Sequence, residues 1–247
     1  MTNRHNLTEP HVNTLSRRQR DFLQREQLFL DTAREILRRD GIAHLTMDRI
    51  AELTEYAKGT LYKHFTCKED ILCALCLECL QRLANVFEHA GNFPGNSRER
   101  VMAIGTAYQL YTLQHPEEFD LLIASRTNNI RQKASPQRVD DMGNADKVVH
   151  NQLRAVVNGA IADGKLILPP HVAVDELCFS LWAMSFGVLV LDQAREAAIE
   201  LQLPPVQQII FRQISLLLDG YGWKPLSTKF DYLQSFQRIL RHMDGQP

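Results

Sequence analysis

The sequence lacks the long apolar stretches that mark membrane and secreted proteins. No uninterrupted apolar run reaches the roughly 18 residues of a membrane-spanning helix, and the longest candidate, from Cys178 to Leu191, fits a buried helix better. The first residues, Met-Thr-Asn-Arg-His-Asn, contain no apolar core of a signal peptide. We therefore expect a cytoplasmic protein whose five cysteines are reduced.

The motifs of common catalytic and cofactor sites are also missing. The sequence contains no Gly-x-Gly-x-x-Gly, no phosphate-binding loop and no Gly-x-Ser-x-Gly. Its nine histidines show neither His-Glu-x-x-His spacing nor a zinc-type pairing with cysteine. We predict that the protein is not an enzyme and that it has no cofactor or metal site.

Four cysteines lie close together, and two interpretations of them remain open. Cysteines spaced three apart on a helix drift slowly around one side, whereas metal-binding Cys-x-x-Cys motifs lie on turns that wrap the ion. Structural packing is the favoured interpretation, and a thiol sensor or soft-metal site is the alternative. The residues concerned are Cys67, Cys73, Cys76 and Cys79.

Helical periodicity dominates the chain, and no alternating strand pattern of useful length is present, so we predict an all-α protein of about ten helices. A first helix ends at Asp40-Gly41, where glycine suits a left-handed helix stop. Beyond the first three helices, apolar spacing and breaks at glycine and proline place a polar loop at 127–135 and a possible cap at Ser97. The later helices are predicted at 68–90, 97–113, 116–126, 136–163, 172–197, 205–219 and 227–242.

The stretch from Thr46 to Lys68 is the most informative, because it encodes two short helices around a tight turn. Thr46 precedes the first of these helices and can cap it. The second carries Leu61 and Phe65, which must be buried because so short a helix is unstable alone in water. The pattern predicts a helix-turn-helix, whose usual partner is duplex DNA.

The outward side of the second helix carries basic, hydroxyl and aromatic side chains, which suit phosphates and base edges. We expect Gly59 to allow close approach of the backbone to DNA and the Thr46 hydroxyl to reach a phosphate. The predicted DNA contacts are Thr46, Lys58, Gly59, Thr60, Tyr62, Lys63, His64 and Lys68.

The stretch from about Gln24 to Leu72 resembles the DNA-binding domain of the tetracycline-repressor (TetR) family of transcriptional regulators. The resemblance rests mainly on Lys58-Gly59-Thr60-Leu61-Tyr62-Lys63-His64-Phe65 and on Lys68-Glu69-Asp70-Ile71-Leu72. It implies an N-terminal three-helix helix-turn-helix domain over residues 23–68. This domain would be joined to a helical ligand-binding and dimerisation domain over residues 69–247, with a last helix at about 227–242.

Two positions depart from the pattern of the resembled family. Glu55 stands where glycine is usual in the turn, which costs roughly 1 kcal/mol or less if the turn needs a positive φ. Ala57 stands where a small hydroxyl residue usually caps the second helix, so this helix either starts elsewhere or relies on Thr54. With the acidic Asp48 and Glu52 nearby, the departures motivate an alternative function, a protein–protein adaptor that keeps the fold but has lost its operator.

A basic cluster stands out in a chain whose formal net charge is only −1. It lies in or just after a segment rich in Asn, Thr, Gln and His, and we predict a flexible N-terminal arm over residues 1–22. The arm is either a solvated leader or a contact to the DNA backbone or minor groove. The cluster consists of Arg17, Arg18, Arg20 and Arg25.

The predicted helix at 172–191 is apolar nearly all round and must be covered on both sides. We expect it to form a homodimer interface together with the helix at 205–218, as four-helix interfaces do in the resembled family.

The resemblance further implies a repressor that leaves its operator when a small molecule binds in the helical domain. From the apolar and aromatic residues available, we expect a mainly hydrophobic effector with at most one charge. The candidate ligand contacts are Leu83, Phe87, Met102, Thr106, Tyr108, Gln109, Leu122, Arg126, His150, Leu153, Phe179, Trp182 and Phe186.

Overall fold

The structure, a computed structural model, describes residues 16–126, 128–193 and 203–244. These residues form eleven α-helices and no strands, which confirms the predicted all-α fold. The chain divides into two compact units. The first contains the described residues up to 75 together with 123–139, and the second contains 76–122 and the described residues from 140 onward.

The first unit is built around a helix-turn-helix. It comprises α1 (Arg17–Asp40), α2 (Met47–Leu53), α3 (Lys58–Leu61), the first turns of α4 (Lys68–Gly91), the end of α6 (Pro116–Ser125), α7 (Asn128–Lys133) and the start of α8 (Pro136–Ala162). Its core is formed by large apolar side chains that recur at helical spacing, and those fully shielded from solvent include Phe29, Ile36, Leu45, Ile50, Leu61, Phe65 and Ile71.

Two elements of this unit differ from the sequence prediction. α1 begins at Arg17, not after residue 22, because Ser16 and Gln19 form a reciprocal capping box. Residues 1–15 of the predicted arm lie outside the described residues. The segment predicted as a polar loop at 127–135 contains α7, which buries Ile130 on one side.

The second unit is arranged around α5 (Ser97–Gln114), which packs against α9 (Val174–Gln193), α10 (Val206–Gly220) and α11 (Tyr232–Asp244). α5 is capped by Asn96, not Ser97. The Asn96 side chain accepts from the backbone of Arg98 and Glu99, and Glu99 accepts from the Asn96 N–H in return.

α11 begins five residues later than predicted. The preceding segment turns on Asp219, which accepts from both the backbone N–H and the hydroxyl of Ser227. These bonds hold the chain in a turn where the apolar pattern alone suggested a helix. α11 then docks through Ser235, whose hydroxyl donates to Glu99 at 2.6 Å, and through Arg238, which pairs with the same carboxylate.

α9 is apolar over most of its length, although no uninterrupted run of apolar residues covers it. Its best 18-residue window has a mean hydropathy of 1.6, so by length and composition it passes the test for a membrane span, contrary to the sequence expectation. Core helices of water-soluble proteins can be equally long and apolar, and one such helix is weak evidence for a membrane.

Candidate nucleic-acid interface

The helix-turn-helix is held together by local capping and by a shared apolar core. Thr46 caps α2, since its hydroxyl accepts from the backbone N–H of Arg49 at 3.2 Å. Leu61 and Phe65 are fully buried, as the sequence pattern predicts. Their burial leaves Lys58, Tyr62 and Lys63 exposed, and these residues define the candidate surface.

The turn between α2 and α3 contains Glu55 and Ala57, the two residues that depart from the pattern of the resembled family. Glu55 has a φ of 57°, which lies in the left-handed region that glycine adopts without strain. Ala57 is the N-cap of α3 and provides no side-chain cap. Thr54 does not replace it, because its hydroxyl donates back to the carbonyl of Ile50 at 2.7 Å.

Replacing Glu55 by glycine is expected to raise the free energy of unfolding by about 0.5–1 kcal/mol, because the left-handed strain of a residue with a Cβ disappears. Urea denaturation measures the change. Glu55→Ala serves as the control, since it removes the same charge but keeps the Cβ. Equal stability of the glycine and alanine variants would contradict the strain argument.

Several of the residues predicted to contact DNA are exposed on α3 and on the turn that follows it. Lys63 is exposed, and the Tyr62 side chain is about half accessible. An added Cβ at Gly59 would meet nothing within 4 Å, so its missing side chain is not required by packing within the chain. Thr60 and Lys68 are half-buried.

Lys58 is exposed but paired. Its Nζ lies 2.8 Å from Oδ1 of Asp48 on α2, and both side chains remain largely accessible. The hydrogen bond that Lys58 donates to Asp48, together with the negative charge of that carboxylate, raises the pKa of Lys58. A phosphate that approaches Lys58 therefore meets a cation that already has a carboxylate partner.

The His64 side chain is buried, so the predicted contact between this side chain and DNA is wrong. Only 2% of the side chain is accessible. The imidazole stacks on Phe22 with centroids 3.8 Å apart, meets Phe29 edge-on, and places Nδ1 3.4 Å from Glu26. The sequence could not show this, because the covering residues come from α1, some forty residues earlier.

Glu26 links this histidine to α8. Its second oxygen accepts from Arg138 Nη2 at 2.7 Å, and the Arg138 guanidinium lies over the Phe65 ring at 5.1 Å from its centroid. One carboxylate of α1 therefore contacts both His64, just after α3, and the start of α8.

Asp70 forms a second joint in the same unit. Its buried carboxylate accepts from the Thr66 backbone N–H at 2.9 Å, from the Thr66 hydroxyl at 2.6 Å and from the Ser135 backbone N–H at 2.6 Å. Burial alone would raise the pKa of Asp70, but these hydrogen bonds outweigh it and lower the pKa. Asp70 thereby ties the segment after α3 to the residue that precedes α8.

Comparison with known proteins identifies the family. A sequence model of bacterial regulatory proteins of the tetR family matches residues 29–75, and a model of the tetracyclin repressor-like C-terminal domain matches residues 101–216. The chain belongs to the TetR family. It is accordingly a DNA-binding transcriptional regulator.

Individual relatives agree with this TetR assignment. The HTH-type transcriptional regulator SAB2452 of Staphylococcus aureus (strain bovine RF122 / ET3-1) is 32% identical over 68 residues, which are 28% of this chain and 35% of that protein. The chain thus spans about a third of the length of that relative.

Solved structures share the fold across most of the chain. A protein of unknown function from Rhodococcus sp. RHA1 has a TM-score of 0.63 at 20% identity, covering 80% of this chain and 95% of its own. A tetR-family regulatory protein from Rhodococcus RHA1 has a TM-score of 0.57 at 15% identity, covering 80% and 97%.

The second unit of this TetR-family protein contains an apolar cavity of about 40 Å³. Four predicted ligand contacts line it: Phe87, Tyr108, Leu153 and Trp182. Six lining residues were not predicted, because which side chains border empty space depends on how the helices meet: Val101, Ile104, Gly105, Leu181, Ser185 and Ile214.

The other predicted ligand contacts do not line this cavity. Phe179 is 59% exposed, and Arg126 belongs to the first unit. Phe186 packs against Phe119 and Trp182, and the ring of His150 lies 6.0 Å from that of Trp182. The remaining five are buried outside the lining: Leu83, Met102, Thr106, Gln109 and Leu122.

The cysteines favour the packing interpretation. All five lie within the described residues and are free thiols, and four of them are buried. Burial, reinforced by the charge of Glu118, raises the pKa of the Cys79 thiol well above its usual value. Burial also raises the pKa of Cys178 to about 11. Since the thiolate is the reactive and metal-binding form, these environments disfavour redox or metal chemistry.

Proposed function

We propose that this regulator is a homodimeric repressor, active in the cytoplasm, that binds a duplex operator through α3 and its flanking residues. The observation that carries the proposal is the exposed polar surface of the second helix above a buried Leu61 and Phe65. The proposed DNA contacts are Thr46, Lys58, Gly59, Thr60, Tyr62, Lys63 and Lys68, with His64 positioning the segment from inside. This function does not involve catalysis.

Removing the exposed cation of Lys63 tests the interface. We expect Lys63→Ala to weaken binding to the operator and to random duplex alike, and to reduce the salt slope of log K by about one, because one phosphate contact is lost. Titrations of duplexes from the promoter region next to the gene, at several salt concentrations, measure both quantities. Lys229→Ala, an exposed lysine of the second unit, should change neither.

The adaptor alternative predicts a different result for the unaltered protein. A working regulator should bind even random duplex at roughly 0.1 mM or better at low salt. Absence of any salt-sensitive DNA binding would favour the adaptor, as the acidic Asp48, Glu52 and Glu55 around α3 would then repel the duplex.

The dimer is proposed on the faces of α9 and α10 that a single chain leaves uncovered. The buried side of α9 carries Leu177, Leu181 and Leu189. On its other sides, Phe179 is 59% exposed and Leu191 is 71% exposed. On α10, Leu216 is 57% exposed. Burying each such side chain stabilises association by roughly 1.5–3 kcal/mol. Sedimentation should show a dimer at micromolar concentration, and a monomer would refute this interface.

The effector is proposed to occupy the apolar cavity of the second unit. At about 40 Å³ the cavity is far smaller than the roughly 300 Å³ or more that ligand pockets usually have, so its walls must separate on binding. The Ser185 hydroxyl is already used, since it donates to the Leu181 carbonyl at 2.9 Å. An apolar wall of this kind favours a mainly hydrophobic ligand.

The proposed switch acts through α4, which starts in the helix-turn-helix unit and continues through the cavity residue Phe87. The two α3 helices of a dimer must lie about one DNA turn, roughly 34 Å, apart to read one operator. A ligand that tilts α4 changes this spacing and releases DNA, provided that it binds the two states differently. A compound that raises the melting temperature but leaves operator affinity unchanged would contradict the switch.

A further inference from the structure

The N-terminal end of α1 carries two positive charges, at a helix end where positive charge is unfavourable. The first turn contains no acidic residue, and Arg17 and Arg18 occupy its first two positions. A helix N-terminus bears partial positive charge, so cations there destabilise the helix. The cap of Ser16 and Gln19 is uncharged and does not offset them. Local stability therefore gives no reason for arginine at these positions.

Packing gives no reason for them either. The buried residues of α1 begin at Phe29, and the side chains of Arg17 and Arg18 are exposed. The match to the tetR-family DNA-binding model also begins at residue 29. Arg17 and Arg18 therefore lie ahead of the residues that α1 contributes to the core, and ahead of Phe22 and Glu26, which contact His64.

The N-terminal half of α1, up to Phe29, contacts residues on both sides of α3 in the sequence. Phe22 stacks on His64, which follows α3, at a centroid distance of 3.8 Å. Phe29 meets Tyr56, which precedes α3, edge-on at 5.5 Å. A surface groove with Tyr56 on one side is lined on the other by Asp21, Gln24, Arg25 and Leu28 of α1. α1 therefore contacts residues at both ends of α3.

Arg17 and Arg18 lie on the same sides of α1 as residues of this groove. Residues seven apart on a helix point within about 20° of each other. Arg18 therefore continues the stripe of Arg25, next to Phe22, and Arg17 continues the stripe of Gln24, which lines the groove. Both stripes thus belong to the side of α1 that meets Tyr56 and His64, the residues on either side of α3 in the sequence.

We propose that Arg17, Arg18 and Arg25, the α1 basic strip, bind backbone phosphates of duplex DNA outside the groove that α3 reads. Guanidinium groups suit this role because they bind phosphate with paired N–H donors and stay charged. Of the nearby acidic groups, Glu26 already pairs with Arg138, and Asp21 shares the groove with Arg25, whose Nε donates to the Asp21 carbonyl. The inference rests on the proposed binding of DNA by α3 and extends it to a wider footprint.

The test compares two double variants of α1 that remove the same charge. Arg17→Ala/Arg18→Ala removes two members of the strip. Arg38→Ala/Arg39→Ala removes two arginines at the opposite end of α1, which pair with Glu35 and Asp40 at 2.8 and 3.0 Å. Fluorescence anisotropy with a labelled random duplex over a salt series gives the slope of log K against log salt.

We expect the Arg17/Arg18 variant to lose about 1.8 from this slope, at about 0.9 per phosphate contact, and the Arg38/Arg39 variant to keep the slope of the unaltered protein. Hydroxyl-radical footprints on the operator should shorten at their outer edges only in the former. Its melting temperature should stay the same or rise, because unfavourable cations leave the helix N-terminus.

Three results would overturn the inference: an unchanged slope, an equal loss in both double variants, or a melting temperature that falls along with the affinity. The last would assign the arginines a folding role. Failure of the unaltered protein to bind any duplex would instead refute the proposed α3 interface itself, so the two failures are distinguishable.

Discussion

Replacing Arg98 by alanine is expected to lower the free energy of unfolding by about 3–5 kcal/mol, since removing one partner of a buried ion pair leaves the other groups uncompensated. Arg98 is fully buried on α5. Its Nη1 donates to Asp219 at 2.6 Å and to the carbonyls of Trp223 and Pro225 at 2.8 Å, and its Nη2 donates to the Ser215 carbonyl at 3.0 Å. One side chain therefore fixes the end of α10 and the turn before α11.

Urea denaturation of Arg98→Ala measures this loss. Arg98→Lys should recover only part of it, because a lysine ammonium cannot reproduce the planar set of donors. Arg100→Ala, two residues away on the exposed side of α5, is the control and should change stability by less than about 0.5 kcal/mol. A loss below about 1 kcal/mol for Arg98→Ala would show that the network is dispensable.

The same network makes stability depend on pH. Burial acts to raise the pKa of Asp219, but hydrogen bonds from Ser227 and Arg98 outweigh it and lower the pKa below its ordinary value. A lowered pKa in the folded state contributes stability above the unfolded pKa of about 4, which is lost as the pH falls through the folded value. Arg98→Ala should weaken this acid dependence.

Asp70→Ala is expected to destabilise the first unit by at least about 3 kcal/mol, because hydrogen bonds to a charged group contribute about 1.5–3 kcal/mol each and three donors lose their acceptor. Two of these donors belong to Thr66 and the third is the Ser135 N–H. Operator affinity should fall as well, since Thr66 lies between the DNA-facing segment and α4.

Hydrogen exchange of the amides between residues 58 and 75 locates the effect of Asp70→Ala. Lys133→Ala provides the control, because it removes a weaker contact between the same two segments, an ion pair of 3.9 Å with an exposed lysine. The control should cost about 0.5 kcal/mol or less. Equal hydrogen-exchange rates in both variants would show that Asp70 does not hold the Thr66 segment against Ser135.

The features that the sequence predicted well are those with local causes. Thr46 caps α2 through a residue three positions away, and the spacing of Leu61 and Phe65 dictates which side of α3 is buried. The early start of α1 also had a local signal, the Ser-x-x-Gln capping box at Ser16 and Gln19.

Most of the features that were missed depend on distant parts of the chain; the early start of α1, whose capping box is local, is an exception. His64 is buried by Phe22 and paired with Glu26, and no pattern near residue 64 reveals either partner. α7 has little apolar periodicity of its own, and its Ile130 is buried only because other parts of the first unit cover it. The cavity residues Gly105 and Ile214 were missed because empty space depends on how helices meet. An added Cβ at Gly105 would lie 2.5 Å from the Ile214 side chain.

The ion pair between Lys58 and Asp48 has a consequence for how quickly the regulator finds its target. If Lys58 binds a phosphate as proposed, the phosphate must compete with Asp48, which lies 2.8 Å away. That competition applies at every site along a chromosome, whereas the compensating base contacts form only at the operator. On that condition, the pair would shorten each stay on unrelated DNA, and the protein would spend less of its search time on sequences that it does not regulate.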